Sequence, residues 1–480
     1  MKPGAMERIN GQVGGPMRPL VAFPDPPEEV SAPALGAGAP AVDAEADADA
    51  DDLRAGGARQ AEPGNRNSID DLALFGGAKT FEQMLHVGRP NIGNREKLME
   101  RLNQMLDTRW LSNAGPFVGE FERRIREMVG VKHCVVMCNA TVALEIVTRA
   151  LGLKGEVIVP SFTFVATGHA LQWQKITPVF CDIDPETHTI DPSKVERMIT
   201  PRTTGILGVH LWGRGCDVEA LAAIARRRNL RLLFDAAHAF GSTHNGRMIG
   251  SFGDAEVFSF HATKFLNSFE GGAVVTNDDE LARKIRLMKN FGFRAYDDVG
   301  YIGINGKMTE ASAAMGLTSL ESMDEFIAVN RANYHRYRDQ LRGVPGLSVI
   351  DYDEREKSSY QYVITEVDGT EAGLGRDQLM AVLHAEGVLA RRYFHPGVHR
   401  MEPYRSYFPN AEVLLPHTCR VGARVLSLPT GTAVNQEIID RVCALIRFAV
   451  AHGREIAARL GPPAAPDADD ATLTLEDEVA

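Results

Sequence analysis

Asp235, His238, Ser259 and Lys264 fall within about thirty residues of one another. Asp235 ends the apolar run "RLLFDAA" (231–237), and His238 follows three residues on. Taken singly, each has an ordinary explanation. A strand-end carboxylate caps a turn, a lone histidine packs and hydrogen-bonds, and a lone lysine is solvated. Lys264 sits less easily with that reading. It stands in "FSFHATKFLNSFEGGAVVTND" (258–278), among aromatics, glycines and small residues. A strand-end Asp, a Ser and a Lys on an α/β sheet are together what a pyridoxal phosphate site needs. The lysine forms a Schiff base with the cofactor aldehyde, and the aspartate keeps the pyridine nitrogen protonated so that the ring accepts electrons. Hydroxyls and N–H groups at a helix start bind the phosphate.

Such residues need a sheet to carry them. Short apolar segments at 133–139, 156–160, 177–183, 204–210, 231–237, 255–260 and 271–277 read as strands. Between the earlier ones lie helical patterns, "ATVALEIVTRALG" (140–152) and "DVEALAAIARRRN" (217–229), the second ending at Asn229 as a C-cap. Strands alternating with helices predict an α/β domain with a mixed, mostly parallel sheet covered on both faces. Its ligands collect at the carboxyl ends of the strands. From Met308 one long amphipathic helix is expected to run to about residue 341, linking this domain to a smaller C-terminal α+β unit. That unit would contain a strand at 359–367 and helices at 376–387 and 435–453.

The ends differ from the body. Residues 1–70 and 461–480 each carry a net charge of −6, so of the total of −11 the body retains +1. Both ends are rich in Pro, Ala, Gly and Asp, a composition expected to stay disordered. The expected organisation is therefore a disordered acidic extension (1–70), a large cofactor-binding domain (71–320), a small C-terminal domain (321–458) and a disordered acidic tail (459–480). No basic stripe suits nucleic acid, and no apolar run approaches the roughly 18–20 residues of a membrane span. The six cysteines show no metal-ligand spacing and read as reduced thiols, so a cytoplasmic protein without a metal is expected.

Motifs in order along residues 75 to about 455 raise the reading from spacing to family. They are "WLSNAGPFVGEFE" (110–122), "CNATVALEI" (138–146), "VIVPSFTFVAT" (157–167) and the run 234–278 around Lys264. "KNFGF" (289–293), "GINGKMTEASAAMGL" (303–317), "RRYFHPGVH" (391–399) and "VLSLPTGTAV" (425–434) follow. With these the chain resembles the DegT/DnrJ/EryC1/StrS family of sugar aminotransferases. The resemblance implies the aspartate-aminotransferase-type fold, fold type I, with pyridoxal 5′-phosphate as cofactor. It also implies a role for each matching position. Lys264 matches the Schiff-base lysine and Asp235 the partner of the pyridine nitrogen. His238 falls where many members have a glutamine that contacts the ring hydroxyl. Phe164 matches the aromatic that stacks on the ring. Ala140 and Thr141 match the phosphate cradle, where the family more often has Ser-Gly-Thr, and Ser259 matches a phosphate-binding hydroxyl. Asn290 matches an asparagine that reaches the phosphate from the partner subunit, which implies a homodimer with a shared active site.

The resemblance further implies ping-pong transfer of an amino group from glutamate to a nucleotide-linked keto sugar. A lysine at 264, where a dehydratase branch of the family has histidine, implies transamination. The wording "FSFHATK" with "FEGGA" resembles members that aminate C4, which points to dTDP-4-dehydro-6-deoxyglucose. A 3-aminotransferase and a non-catalytic regulator or scaffold that binds the cofactor are the alternatives.

Overall fold

A computed structural model describes residues 66–461, all within one compact unit. The expected acidic tails over residues 1–65 and 462–480 lie outside the described residues. Seven strands form the main sheet: β1 (His133–Met137), β2 (Glu156–Pro160), β3 (Thr177–Cys181), β4 (Thr203–Val209), β5 (Arg231–Asp235), β6 (Ala255–Ser259) and β7 (Gly272–Thr276). Their order across the sheet is β1-β7-β6-β5-β4-β2-β3. Only β7 runs antiparallel to its neighbours.

Side chains alternate across a pleated strand, and here both faces are apolar. Leu232, Phe234, Phe258 and Val136 enter one core. Leu233, Val257, Val274 and Val135 enter another on the opposite face. Helices α1 (Pro116–Val129), α2 (Ala140–Ala150), α3 (Val165–Gln172), α4 (Val218–Arg228) and α5 (Asp279–Met288) cover them. α1 and α4 pack on the first face through Phe121, Ile125, Leu221 and Ile224. α2, α3 and α5 pack on the second through Leu144, Val147, Leu171 and Ile285. α4 starts on its Asp217 cap, which accepts from Ala220 N–H at 3.0 Å, and ends at Asn229 in the left-handed conformation (φ 53°).

The long segment from Met308 is two helices, not one: α6 (Glu310–Glu321) and α7 (Met323–Leu341), meeting at Ser322. The break changes the direction of the chain, so that α7 starts against the main core through Phe326 and ends in a second one. Ala313 and Leu317 of α6 pack on the main sheet, and the Glu310 carboxylate accepts the first amides of α1, from Phe117 and Val118. Tyr334, Tyr337 and Leu341 of α7 belong to the core of the smaller body. That body holds an antiparallel sheet of β8 (Leu347–Val349), β9 (Val363–Val367) and β10 (Val425–Leu428) with helices α8 (Arg376–Ala385) and α9 (Gln436–Ala451). β9 is shorter than the 359–367 expected. Tyr360 (φ 48°) turns the chain, and Gln361 and Tyr362 face the cavity described below instead of joining the sheet.

The seams also differ from expectation. Residues 66–70, assigned by composition to the extension, are folded. Arg66 donates to Glu386 at 2.7 Å with both side chains almost wholly buried, and Ile69 is in the small core. Leu72 and Phe81, expected in the large domain, pack there too. Glu386 also accepts from Ala73 N–H, Thr80 N–H and Thr80 Oγ1, so one buried carboxylate gathers the whole segment. These contacts could not be seen in composition, because the partner lies some three hundred residues away. At the other end a helix runs over Gly453–Leu460, past the expected start of the tail. Among the described residues no helix is long and apolar enough to cross a membrane.

Candidate active site

A cavity of about 410 Å³ opens at the carboxyl ends of β1, β2, β5 and β6. The smaller body supplies its far wall through Tyr362, Tyr393 and Phe394. Asp235, the last residue of β5, is buried there. Its carboxylate accepts from Thr167 Oγ1 at 2.9 Å and from Ala237 N–H at 3.0 Å. Neither donor is charged. Burial pushes the Asp235 carboxyl above the usual range, while these two bonds and the charge of Lys264 pull it back down.

Lys264 lies on the turn after β6. Its backbone N–H donates to His261 O at 2.9 Å, and its Nζ donates to the Tyr362 hydroxyl at 3.2 Å. Burial lowers the ammonium to about 8, against the opposing pull of Asp235. His238 is buried between aromatic rings, 4.3 Å from Tyr362 and 5.7 Å from Phe394 by centroid. Its Nδ1 is buried with no hydrogen-bond partner among the described residues. Burial first, and then the Lys264 charge, holds this imidazole neutral, well below its ordinary range.

α2 begins at the end of β1. Its Asn139 cap accepts from Val142 N–H at 2.8 Å. The amides of Ala140 and Thr141, first in the helix, have no intrahelical acceptor and stand at the positive end of its dipole. Gly272 lies against this turn, and a Cβ there would come 2.6 Å from Ala140 N. Ser259 ends β6 beside it, its Oγ accepting from His261 N–H at 3.4 Å. Phe164 caps the start of α3 and stays more than half exposed, lining the cavity.

The structure thus brings Lys264, Asp235, His238 and Phe164 together with Ala140, Thr141 and Ser259. Asn290 is not among the lining residues. It follows α5, and its Oδ1 accepts from Lys307 Nζ at 3.0 Å. Exposed apolar side chains surround that stretch: Phe291, Phe293, Tyr296, Ile302 and Ile304. Sequence reasoning missed Thr167 and Tyr362. Thr167 stood inside a recognised motif, "FVAT", but only the fold turns its hydroxyl to Asp235. Tyr362 lay in a segment read as plain strand.

The residues fit one kind of cofactor. The buried carboxylate has no charged donor and suits a cationic ring nitrogen. The orphan His238 Nδ1 suits a ring oxygen, the free amides of α2 suit a phosphate, and the Lys264 amine suits an aldehyde. Topology and site together define a fold type I, pyridoxal-phosphate-dependent aminotransferase. More narrowly, the chain belongs to the DegT/DnrJ/EryC1/StrS aminotransferase family, whose model matches residues 93–447. It is 37% identical over 368 residues to dTDP-4-amino-4,6-dideoxy-D-glucose transaminase of Shigella dysenteriae, covering 76% of this chain and 99% of that one. It is 35% identical to GDP-perosamine synthase of Caulobacter vibrioides, over 75% of this chain and 97% of the relative. A crystal structure of DesI in the presence of its TDP-sugar product superposes with a TM-score of 0.79 at 53% identity, covering 82% of this chain and all of DesI.

Proposed function

We propose that the protein transfers an amino group from glutamate to C4 of dTDP-4-dehydro-6-deoxyglucose. The observation that carries this reading is the 53% identity, over the whole of DesI, to a protein solved with a TDP-sugar product. The Shigella relative, named for a dTDP-4-amino sugar, supports the same carbon and nucleotide.

Pyridoxal phosphate, when bound, supplies an aldehyde for amine exchange and a ring that takes up the electron pair left at the substrate carbon. The protein's own groups do the rest. Asp235 holds a proton at the ring nitrogen, and Thr167 and Ala237 keep its carboxylate aimed. Lys264 would anchor the cofactor through its amine and would hold or move a proton at the substrate carbon. A lowered basicity suits it to that work. The amides of Ala140 and Thr141, with Ser259, take the phosphate. Phe164, on the cavity wall, would shield the ring from water. His238, neutral and with a free Nδ1, would steady the ring oxygen. Asn290 reaches the phosphate of a partner subunit in a homodimer. Its absence from this chain's own cavity and the apolar surface around it support that reading.

The test is regiochemical. The enzyme is incubated with glutamate and dTDP-4-dehydro-6-deoxyglucose or its 3-keto isomer, and NMR identifies the carbon that gains nitrogen. Amination at C4 is expected. Amination only at C3 overturns the assignment, and turnover only of a GDP-linked 4-keto sugar moves it towards the perosamine synthases.

A further inference from the structure

The turn that carries Lys264 also bears two side chains without a part in the scheme above. His261 and Glu270 both line the cavity, and His261 Nε2 lies 3.3 Å from Glu270 Oε1. The other ring nitrogen, Nδ1, accepts from Thr263 N–H at 3.3 Å and stands 2.8 Å from Thr263 Oγ1. An amide can only donate, so Nδ1 is the acceptor, and Nε2 faces Glu270 at ion-pair distance without a hydrogen bond between them. The Glu270 side chain is 61% exposed, so its carboxylate stands open to a ligand. Just before Glu270, Phe269 takes a left-handed conformation (φ 59°) with its ring 45% exposed. Non-glycine residues rarely adopt that conformation, and it persists where surroundings enforce it.

A carboxylate accepts hydrogen bonds and donates none. At the cavity wall it repels the two carboxylates of glutamate and the diphosphate of a sugar nucleotide. What it matches is a hydroxyl. Resting on the sugar-nucleotide reading above, we propose that Glu270, positioned by His261, accepts a hydrogen bond from a ring hydroxyl of the hexose. In doing so it selects which sugar carbon meets Lys264.

The test compares two ligands on the holoenzyme by titration calorimetry, dTDP-4-amino-4,6-dideoxy-D-glucose and dTDP alone. Glu270→Ala is expected to weaken the amino sugar nucleotide about 10- to 100-fold, as for a lost bond to a charged acceptor, and dTDP by less than about threefold. Glu270→Gln recovers part of the loss, because its amide oxygen still accepts, though more weakly. His261→Ala raises KM for the keto sugar more than it lowers kcat, the mark of a positioning residue. Equal weakening of both ligands by Glu270→Ala, or no weakening of either, overturns the inference. A wild-type holoenzyme that binds neither ligand overturns the sugar-nucleotide reading instead.

Discussion

Lys264 is a buried amine whose basicity is set by two opposed effects, and they make its pH behaviour specific. Burial lowers it to about 8, while the negative charge of Asp235 holds it up. Below that pH the side chain is an ammonium with no lone pair to attack an aldehyde. Above it the amine is neutral. Apoenzyme mixed with pyridoxal phosphate should therefore bind it covalently faster as pH rises, with a midpoint near pH 8 rather than near the 10.5 of a free lysine. Stopped-flow absorbance from pH 6 to 10 reads this directly. In Asp235→Asn the supporting charge is gone, so the midpoint should fall further. That variant should also lose about 100-fold or more in kcat, because the ring nitrogen has lost its charged partner. Lys264→Ala should lose both visible absorbance and transamination, and retention of full turnover would refute its role.

α2 and α3 present their N-termini to the same cavity, one with amides for an anion, the other with a hydroxyl for Asp235. The first arrangement depends on Gly272. A methyl there would sit 2.6 Å from Ala140 N and 2.7 Å from Asn139 O, so Gly272→Ala must displace the helix start. Overpacking of this kind costs about 1–3 kcal/mol, measurable by urea denaturation, and cofactor affinity should fall with it. Thr167→Val, which keeps the shape but removes the hydroxyl, should weaken cofactor binding with little loss of stability. The strands and these helices were legible because alternation of type and apolar periodicity are local. Asp235 and Lys264 were legible because one ends a strand and the other follows a later strand, in a recognisable order. What stayed hidden depends on distant partners. The break at Ser322 carries α7 from the main core at Phe326 to the smaller one at Tyr334 and Leu341. Tyr362 reaches Lys264 across 98 residues of sequence.

The cavity belongs to the whole molecule, since its walls come from both bodies, and the surface around Asn290 points outside the chain. If Asn290 serves a partner's site, two crippled variants should complement each other. Lys264→Ala and Asn290→Ala chains, each nearly inactive, should regain about one quarter of wild-type activity when mixed and allowed to exchange subunits. No recovery with proven exchange would place Asn290 elsewhere. Glu386→Ala, which strands the buried Arg66, should destabilise the fold by about 3–5 kcal/mol, read by urea denaturation.

The same clamp orders events during synthesis. Arg66 leaves the ribosome 320 residues ahead of Glu386, the carboxylate that receives it. The main sheet, complete by Thr276, can form while residues 66–81 still have nothing to bind. Translation therefore holds residues 66–81 in reserve, and this segment is among the last of the described residues to find its place.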